Sequence, residues 1–152
     1  MSTAVVILFG LLGGLAGAIQ SQALGFMEGK VGTLASTFVT YGLGGAAVGL
    51  VMVALGGDRW SELRSLPWWV YTAGILGLFV VATLGMTTAR LGLGAGLTLF
   101  TSANLVIAAV IDHFGWLSAE VRSLDVRRAA GILLVALGTW LVVGGTTPSA
   151  TN

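Results

Sequence analysis

No cysteine occurs in the 152 residues, so disulfides and thiolate metal sites are excluded, and cysteine usage gives no record of a redox compartment. Charge is almost as scarce. Seven Lys and Arg stand against six Asp and Glu, 9% of the chain. A net charge of +1 with no basic cluster gives no reason to expect a nucleic-acid partner or an acidic substrate. The single histidine, His113, has no metal-ligand spacing around it, so no metal site is expected. Enzyme signatures are missing as well. Gly92-Leu93-Gly94-Ala95-Gly96 superficially resembles a phosphate loop, but it lacks the following Lys-Ser/Thr and a preceding strand. Neither a Ser/His/Asp arrangement nor a pair of intramembrane aspartates is present. The expectation is a protein that is not an enzyme and needs no cofactor.

What fills the chain instead is apolar. Hydrophobic residues make up 56%, and the mean hydropathy of +0.97 lies far outside the range of a water-soluble domain. Five apolar stretches, at 3–26, 31–55, 67–89, 93–111 and 128–143, are each read as a membrane span, since a hydrocarbon core is about 30 Å thick and a helix rises about 1.5 Å per residue. The runs are continuous, without the alternation of a barrel strand, and in lipid a helix satisfies its own backbone. The reading is an all-α membrane protein, one integral domain over 1–152 with five transmembrane helices. Five short-looped helices are too few to enclose a transport pathway, so the chain reads as half of something larger. The first stretch ends near Ala16-Gly17-Ala18 like a signal peptide, but it has no Lys or Arg ahead of a long apolar run, and an uncleaved span is expected.

Orientation follows from the placement of Lys and Arg. With five spans, Arg59, Arg64, Arg122, Arg127 and Arg128 fall on one side, and Lys30 and Arg90 on the other. That bias predicts a cytoplasmic N-terminus and an outside C-terminus, and it disfavours dual topology without forbidding it. Trp60, Trp68, Trp69 and Trp116 fall at predicted membrane–water interfaces, where amphipathic rings are favoured.

Glycine is abundant, 24 residues, and sits mostly inside the spans. Gly10, Gly13, Gly14 and Gly17 line one face of the first span, leading to Gln20 and Ser21. Thr33, Ser36, Thr37, Thr40 and Gly44 do so in the second, with Gly45 and Gly49 a further small-residue pair. Gly74, Gly77, Thr83 and Thr87 mark the third; Gly94, Thr98, Thr101, Ser102, Ala108, Ala109 and Asp112 mark the fourth. Such stripes permit close helix packing and hydrogen bonds between helices, and equally a shared cavity lined by small polar groups. No ionisable residue occupies the middle of a span. A coupled mechanism is therefore left with Glu28 or Asp112, each at a span end where a solvated charge is the plainer reading. Arg90 reads first as an interface anchor whose stem lies along apolar surface.

Several of these elements resemble a known family. Pro67-Trp68-Trp69 opens the third span, Gly74 and Gly77 lie within it, and Thr88-Ala89-Arg90-Leu91-Gly92 closes it. Ile111-Asp112-His113-Phe114-Gly115 closes the fourth, and residues 128–131 open the fifth. With Gln20 and the segment from Gly32 to Phe38, this order is similar to the five-span YdcZ-like branch of the drug/metabolite transporter superfamily, a group of inner-membrane exporters. The Asp-His-Phe-Gly element is the most specific part; the glycine-rich parts are common in membrane proteins. Leu24 stands where relatives usually carry Asn, and Ala103-Asn104 where a Gly-Gln pair is common, so the substrate here differs from theirs or the site relies on Gln20 and Asn104. The resemblance implies half of a ten-helix inverted-repeat architecture. It also implies a homodimer, or a heterodimer with a second five-span chain, in the bacterial inner (plasma) membrane, with the pathway between halves.

On that basis the expected function is a secondary transporter subunit moving a small metabolite or drug, amphipathic or cationic, by alternating access near the bilayer midplane. The expected lining residues are Gln20, Ser36, Thr40, Tyr41, Thr98, Ser102, Asn104 and Trp140, with Glu28 or Asp112 as gate or coupling group. A non-transporting scaffold or accessory subunit, whose stripes only bind partner helices, is the competing reading. A passive channel is the third. Membrane lipid is a partner in every case.

Overall fold

A computed structural model describes residues 2–56, 62 and 65–145. Asp58, Arg59, Trp60 and Arg64, together with the polar tail 146–152, lie outside the described residues. The described chain is helical, with no strand. Helix α1 runs Thr3–Leu55, a 3-10 turn at Trp68–Thr72 leads into α2 (Ala73–Leu91), and α3 spans Leu93–Phe114. A second 3-10 turn at Trp116–Ser118 precedes α4 (Val126–Gly144). Four helical stretches among the described residues, Thr3–Leu55, Trp68–Leu91, Leu93–Phe114 and Val126–Gly144, are long and apolar enough to cross a membrane.

Burial is inverted relative to a protein folded for water. The buried side chains are mostly small and often polar: Ser21, Ser36, Thr88, Ser102 and Thr139, with Ala95 and Ala109. Leu24 is the largest of the fully buried ones, while Leu34 and Val53 are 88% and 85% exposed. Water would penalise that arrangement heavily. Lipid tails are as apolar as Leu, so large aliphatic groups gain nothing by turning inward, and close packing of small residues joins the helices instead.

Helix α1 is 53 residues long, about 80 Å at about 1.5 Å per residue, and it is broken at one point. Gly32 has φ 78° and ψ 172°, outside the helical region. The break is sharp. Glu28 and Ser36 would lie about 12 Å apart along a straight helix, too far for the two side chains to meet, yet the Ser36 hydroxyl is 3.5 Å from the Glu28 carboxylate. The charged segment Glu28, Gly29, Lys30, expected as a connection, is helical, and the chain turns on the single glycine beyond it.

Gly92, between α2 and α3, repeats this corner with φ 85° and ψ 162°. There the Gly92 amide donates to the Thr88 carbonyl (3.0 Å), and the Gly96 amide donates to the Gly92 carbonyl (2.9 Å), so one residue ends one helix and starts the next. The two corners stand 60 positions apart, and their surroundings match at that offset: Leu24-Gly25 with Leu84-Gly85, Lys30 with Arg90, Gly32 with Gly92, Ala35 with Ala95. The contacts match too. A Cβ at Gly25 would meet the Thr88 side chain at 2.6 Å, and one at Gly85 would lie 3.7 Å from Leu24 and, slightly farther, 3.8 Å from the Glu28 carboxylate. Thr88 is the offset mate of Glu28, and Gly85 of Gly25, so the contact is reciprocal: each hairpin offers a glycine to the other hairpin's residue three positions on. Reciprocal pairing of this kind is the mark of two-fold packing.

Helix α4 has no counterpart in this repeat and packs on α3. Asp125 caps its start, the carboxylate accepting from the Arg128 amide at 2.7 Å. Gly115, in the left-handed region, ends α3.

Candidate functional site

Among the described residues, Glu28 is the one carboxylate on the faces where the two hairpins meet. It is half-buried on α1, four residues before the corner, and the chain's return brings hydroxyls onto it. Thr33 Oγ1 donates to Glu28 Oε1 at 2.7 Å, and Ser36 Oγ reaches Glu28 Oε2 at 3.5 Å while also donating to the Thr33 carbonyl at 3.0 Å. Thr33 and Ser36 belong to the first turn after the break, the positive end of a helix dipole, where a carboxylate is favoured. Gly85 of α2 forms the opposite wall, and Thr88, one turn on, is 5% exposed with no hydrogen-bond partner for its hydroxyl. Thr37, beside Ser36, carries a second buried hydroxyl without a partner. Lys30 and Arg90 are exposed, and among the described residues no Lys or Arg pairs with Glu28. The plain reading of Glu28 as a solvated end charge does not describe this setting.

Asp112 is held differently. Arg128 Nη2 donates to its Oδ2 at 2.9 Å, and its carbonyl accepts the Arg122 amide at 2.9 Å. Arg128 Nη1 also donates to the Arg122 carbonyl (3.1 Å), and the Leu124 amide donates to His113 Nδ1 (3.2 Å). The group therefore ties the 115–125 connection and the start of α4 to the end of α3. The paired side chains are each about one-third exposed, 37% and 34%, so solvent screens the ion pair. Asp112→Asn is expected to lower unfolding free energy by about 1 kcal/mol or less, read as a small shift in a detergent unfolding curve with helix content unchanged.

The remaining lining candidates separate into those that face other helices and those that face outward. Ser36 is buried beside Glu28, and Thr40 is half-buried, its hydroxyl donating to the Ser36 carbonyl at 2.8 Å. The Tyr41 hydroxyl lies against Gly77 of α2, a contact that only a residue without Cβ admits. Ser102 is buried and its hydroxyl pairs with that of Thr139, which also donates to the Val135 carbonyl at 2.8 Å; this pair joins α3 to α4. Thr98 donates to the Gly94 carbonyl at 2.7 Å and, with Ser102, lines a shallow cleft of about 240 Å³ with Val135 of α4. Gln20, Asn104 and Trp140 are exposed, Trp140 by 69%. Gln22, two residues from Gln20, lines an apolar groove of about 640 Å³ with Phe26 and Leu93. The ten candidates thus do not meet in one cavity of a single chain.

Two participants escaped sequence reasoning. Thr139 shows no polar stripe around it, and its role depends on where α4 docks. Thr88 was named only as part of the Thr-Ala-Arg-Leu-Gly element; its match to Glu28 at the 60-residue offset is the signal that would have singled it out.

Residues 5–141 match the family described as "Putative inner membrane exporter, YdcZ". No curated protein and no solved structure matches the chain.

Proposed function

The chain belongs to the YdcZ family of inner membrane exporters, and from that premise we propose that it is the subunit of a secondary transporter that moves a small solute by alternating access in a dimer. The observation that carries the proposal is the family match over 137 residues (5 to 141 inclusive), joined to the burial of hydroxyls rather than large apolar groups. The two arms of α1, 3–31 and 33–55, are each long enough to span about 30 Å, so the sharp turn at Gly32 supports counting them as two spans and the chain as five. The N-terminus is then cytoplasmic by the Lys/Arg bias.

Two such units, inverted with respect to each other, make the ten-helix architecture with the pathway between them. Gln20, Asn104 and Trp140 are exposed in one chain and so are available to that interface, while Ser36, Thr40, Tyr41, Thr98 and Ser102 supply hydroxyls nearer the helix contacts. Glu28 is the coupling group in this reading, because Asp112 is engaged by Arg128. Purified protein in liposomes, alone or with a second five-span chain, is expected to show saturable solute flux, reduced at least about tenfold by Glu28→Gln. Unsaturable flux assigns a channel instead. Absence of flux across a broad metabolite panel, with the dimer intact, assigns the scaffold role.

A further inference from the structure

We propose that the groove between α3 and α4 seats one membrane phospholipid whose headgroup carries a primary amine, with the Asp112–Arg128 ion pair holding that headgroup. The proposal goes beyond the transporter reading and does not depend on it, since it concerns which lipid the chain retains and not which solute it moves.

The groove has a volume of about 440 Å³, and its wall changes character along its length. Asp112 and Arg128 stand at one end, Ala108 and Gly131 in the middle, and Leu105 and Val135 at the far end. The small residues make the room: a Cβ built on Gly131 would meet nothing within 4 Å. Leu105 and Val135 are each 38% exposed and offer an apolar wall that water would not fill favourably. From Leu105 to Asp112 the groove covers seven positions (105 to 112), about 10 Å at about 1.5 Å per residue. The hydrocarbon half of a leaflet is about 15 Å deep, so the groove takes most of one acyl chain and sets the charged pair where headgroups begin.

The pair is joined by a single hydrogen bond, Arg128 Nη2 to Asp112 Oδ2 at 2.9 Å, and Arg128 Nη1 donates to the Arg122 carbonyl at 3.1 Å. A guanidinium has five N–H donors and a carboxylate about four lone-pair sites, so both groups keep capacity for a ligand. Each is about one-third exposed, within a ligand's reach. A phosphate approaching Arg128 alone meets the Asp112 charge, and an ammonium approaching Asp112 alone meets Arg128. A headgroup with both charges avoids either repulsion: its phosphate accepts from Arg128 and its ammonium donates to Asp112. Choline has the positive charge without N–H donors, and a glycerol head has hydroxyls without the charge. A second groove along the same two helices, also about 440 Å³, gives the contrast. His113 is the one titratable group on its wall, and Nδ1 of that ring already accepts from the Leu124 amide. Equal room without a charge pair selects no headgroup.

The test uses the full chain, purified in mild detergent and stripped of lipid, with native mass spectrometry reading lipid adducts and oligomeric state together. Phosphatidylethanolamine, phosphatidylglycerol and phosphatidylcholine with identical acyl chains are added in turn. The first phosphatidylethanolamine is expected to bind at least about fivefold tighter than either of the others. Gly131→Leu, which fills the groove, is expected to weaken that binding at least about tenfold, and Ala108→Leu is read in its place if that variant does not fold. Val106→Phe, which adds bulk in the second groove, is expected to leave it unchanged. Asp112→Asn is expected to bring the ethanolamine and glycerol lipids within about twofold of each other, a change of preference that a purely structural ion pair would not produce. Equal affinity for the three lipids, or indifference to the groove-filling variant, overturns the site. A dimer in the same spectra that Gly131→Leu dissociates assigns the groove to a helix of a second copy and overturns it as well. Solute flux in liposomes is read separately, so neither failure removes the transporter reading.

Discussion

Replacing Gly32 by alanine is expected to destabilise the protein far more than a methyl added at a helical glycine of α1 with equally open surroundings. At φ 78° and ψ 172° the backbone occupies a region that is essentially restricted to glycine, because an L side chain there collides with its own peptide groups. The strain is about 1–3 kcal/mol, a large part of the roughly 5–15 kcal/mol by which a domain is stable. Open space does not help. Nothing lies within 4 Å of a Cβ built on Gly32, so the loss comes from the backbone alone. Gly92→Ala carries the same penalty at φ 85° and ψ 162°, and the double variant is expected to lose the sum if the two corners act independently. Gly49→Ala is the control. It is helical, with open space around its Cβ, and alanine there is expected to be neutral or to stabilise by about 0.5–1 kcal/mol. Equilibrium unfolding in mixed detergent micelles reads all four. A Gly32→Ala protein as stable as Gly49→Ala would mean that the chain does not turn at Gly32, and the five-span reading would lose its support.

That corner also marks the limit of what the amino-acid order reveals. The all-helical, lipid-facing character was legible at once, because long uncharged runs have no other stable form in a bilayer. The stripes at Ser36, Ser102 and Ala109 were legible too, and all three residues are buried at helix contacts. Glu28, Gly29 and Lys30 look like a gap in the sequence because they are polar or flexible, yet Glu and Lys are good helix formers and the helix continues through them. Composition locates where charge sits, whereas the turn depends on one glycine's dihedrals. Gln20, Asn104 and Trp140 show the same limit on the site side. Their chemistry suits a binding surface, but which way a helix face points is decided by packing between helices, and in one chain these three face outward. Asp112 and Arg128 lie 16 positions apart, and their pairing depends on the 115–125 connection folding back, which no local pattern specifies.

The crossing of the two hairpins carries the second large effect, and there the repeat predicts an asymmetry that symmetry alone would not. Gly25 and Gly85 are mates, yet a methyl at each meets different surroundings. At Gly25 it would lie 2.6 Å from Thr88 Cγ2, 3.1 Å from Thr88 Cβ and 3.3 Å from the Ala89 amide nitrogen, so α1 and α2 must separate or Thr88 must rotate. At Gly85 the nearest atoms are 3.7–3.8 Å away, ordinary van der Waals contact. Overpacking a tight contact costs about 1–3 kcal/mol, so Gly25→Ala is expected to fall in that range and Gly85→Ala near zero. The clash at Gly25 is mostly with one methyl, which Thr88→Ser removes while keeping the hydroxyl. The Gly25→Ala/Thr88→Ser double variant is therefore expected to recover more than half of the Gly25→Ala loss, with a coupling energy of about 1 kcal/mol in a double-mutant cycle. A cycle that sums without coupling would place Thr88 elsewhere and remove the reciprocal contact on which the two-fold arrangement rests.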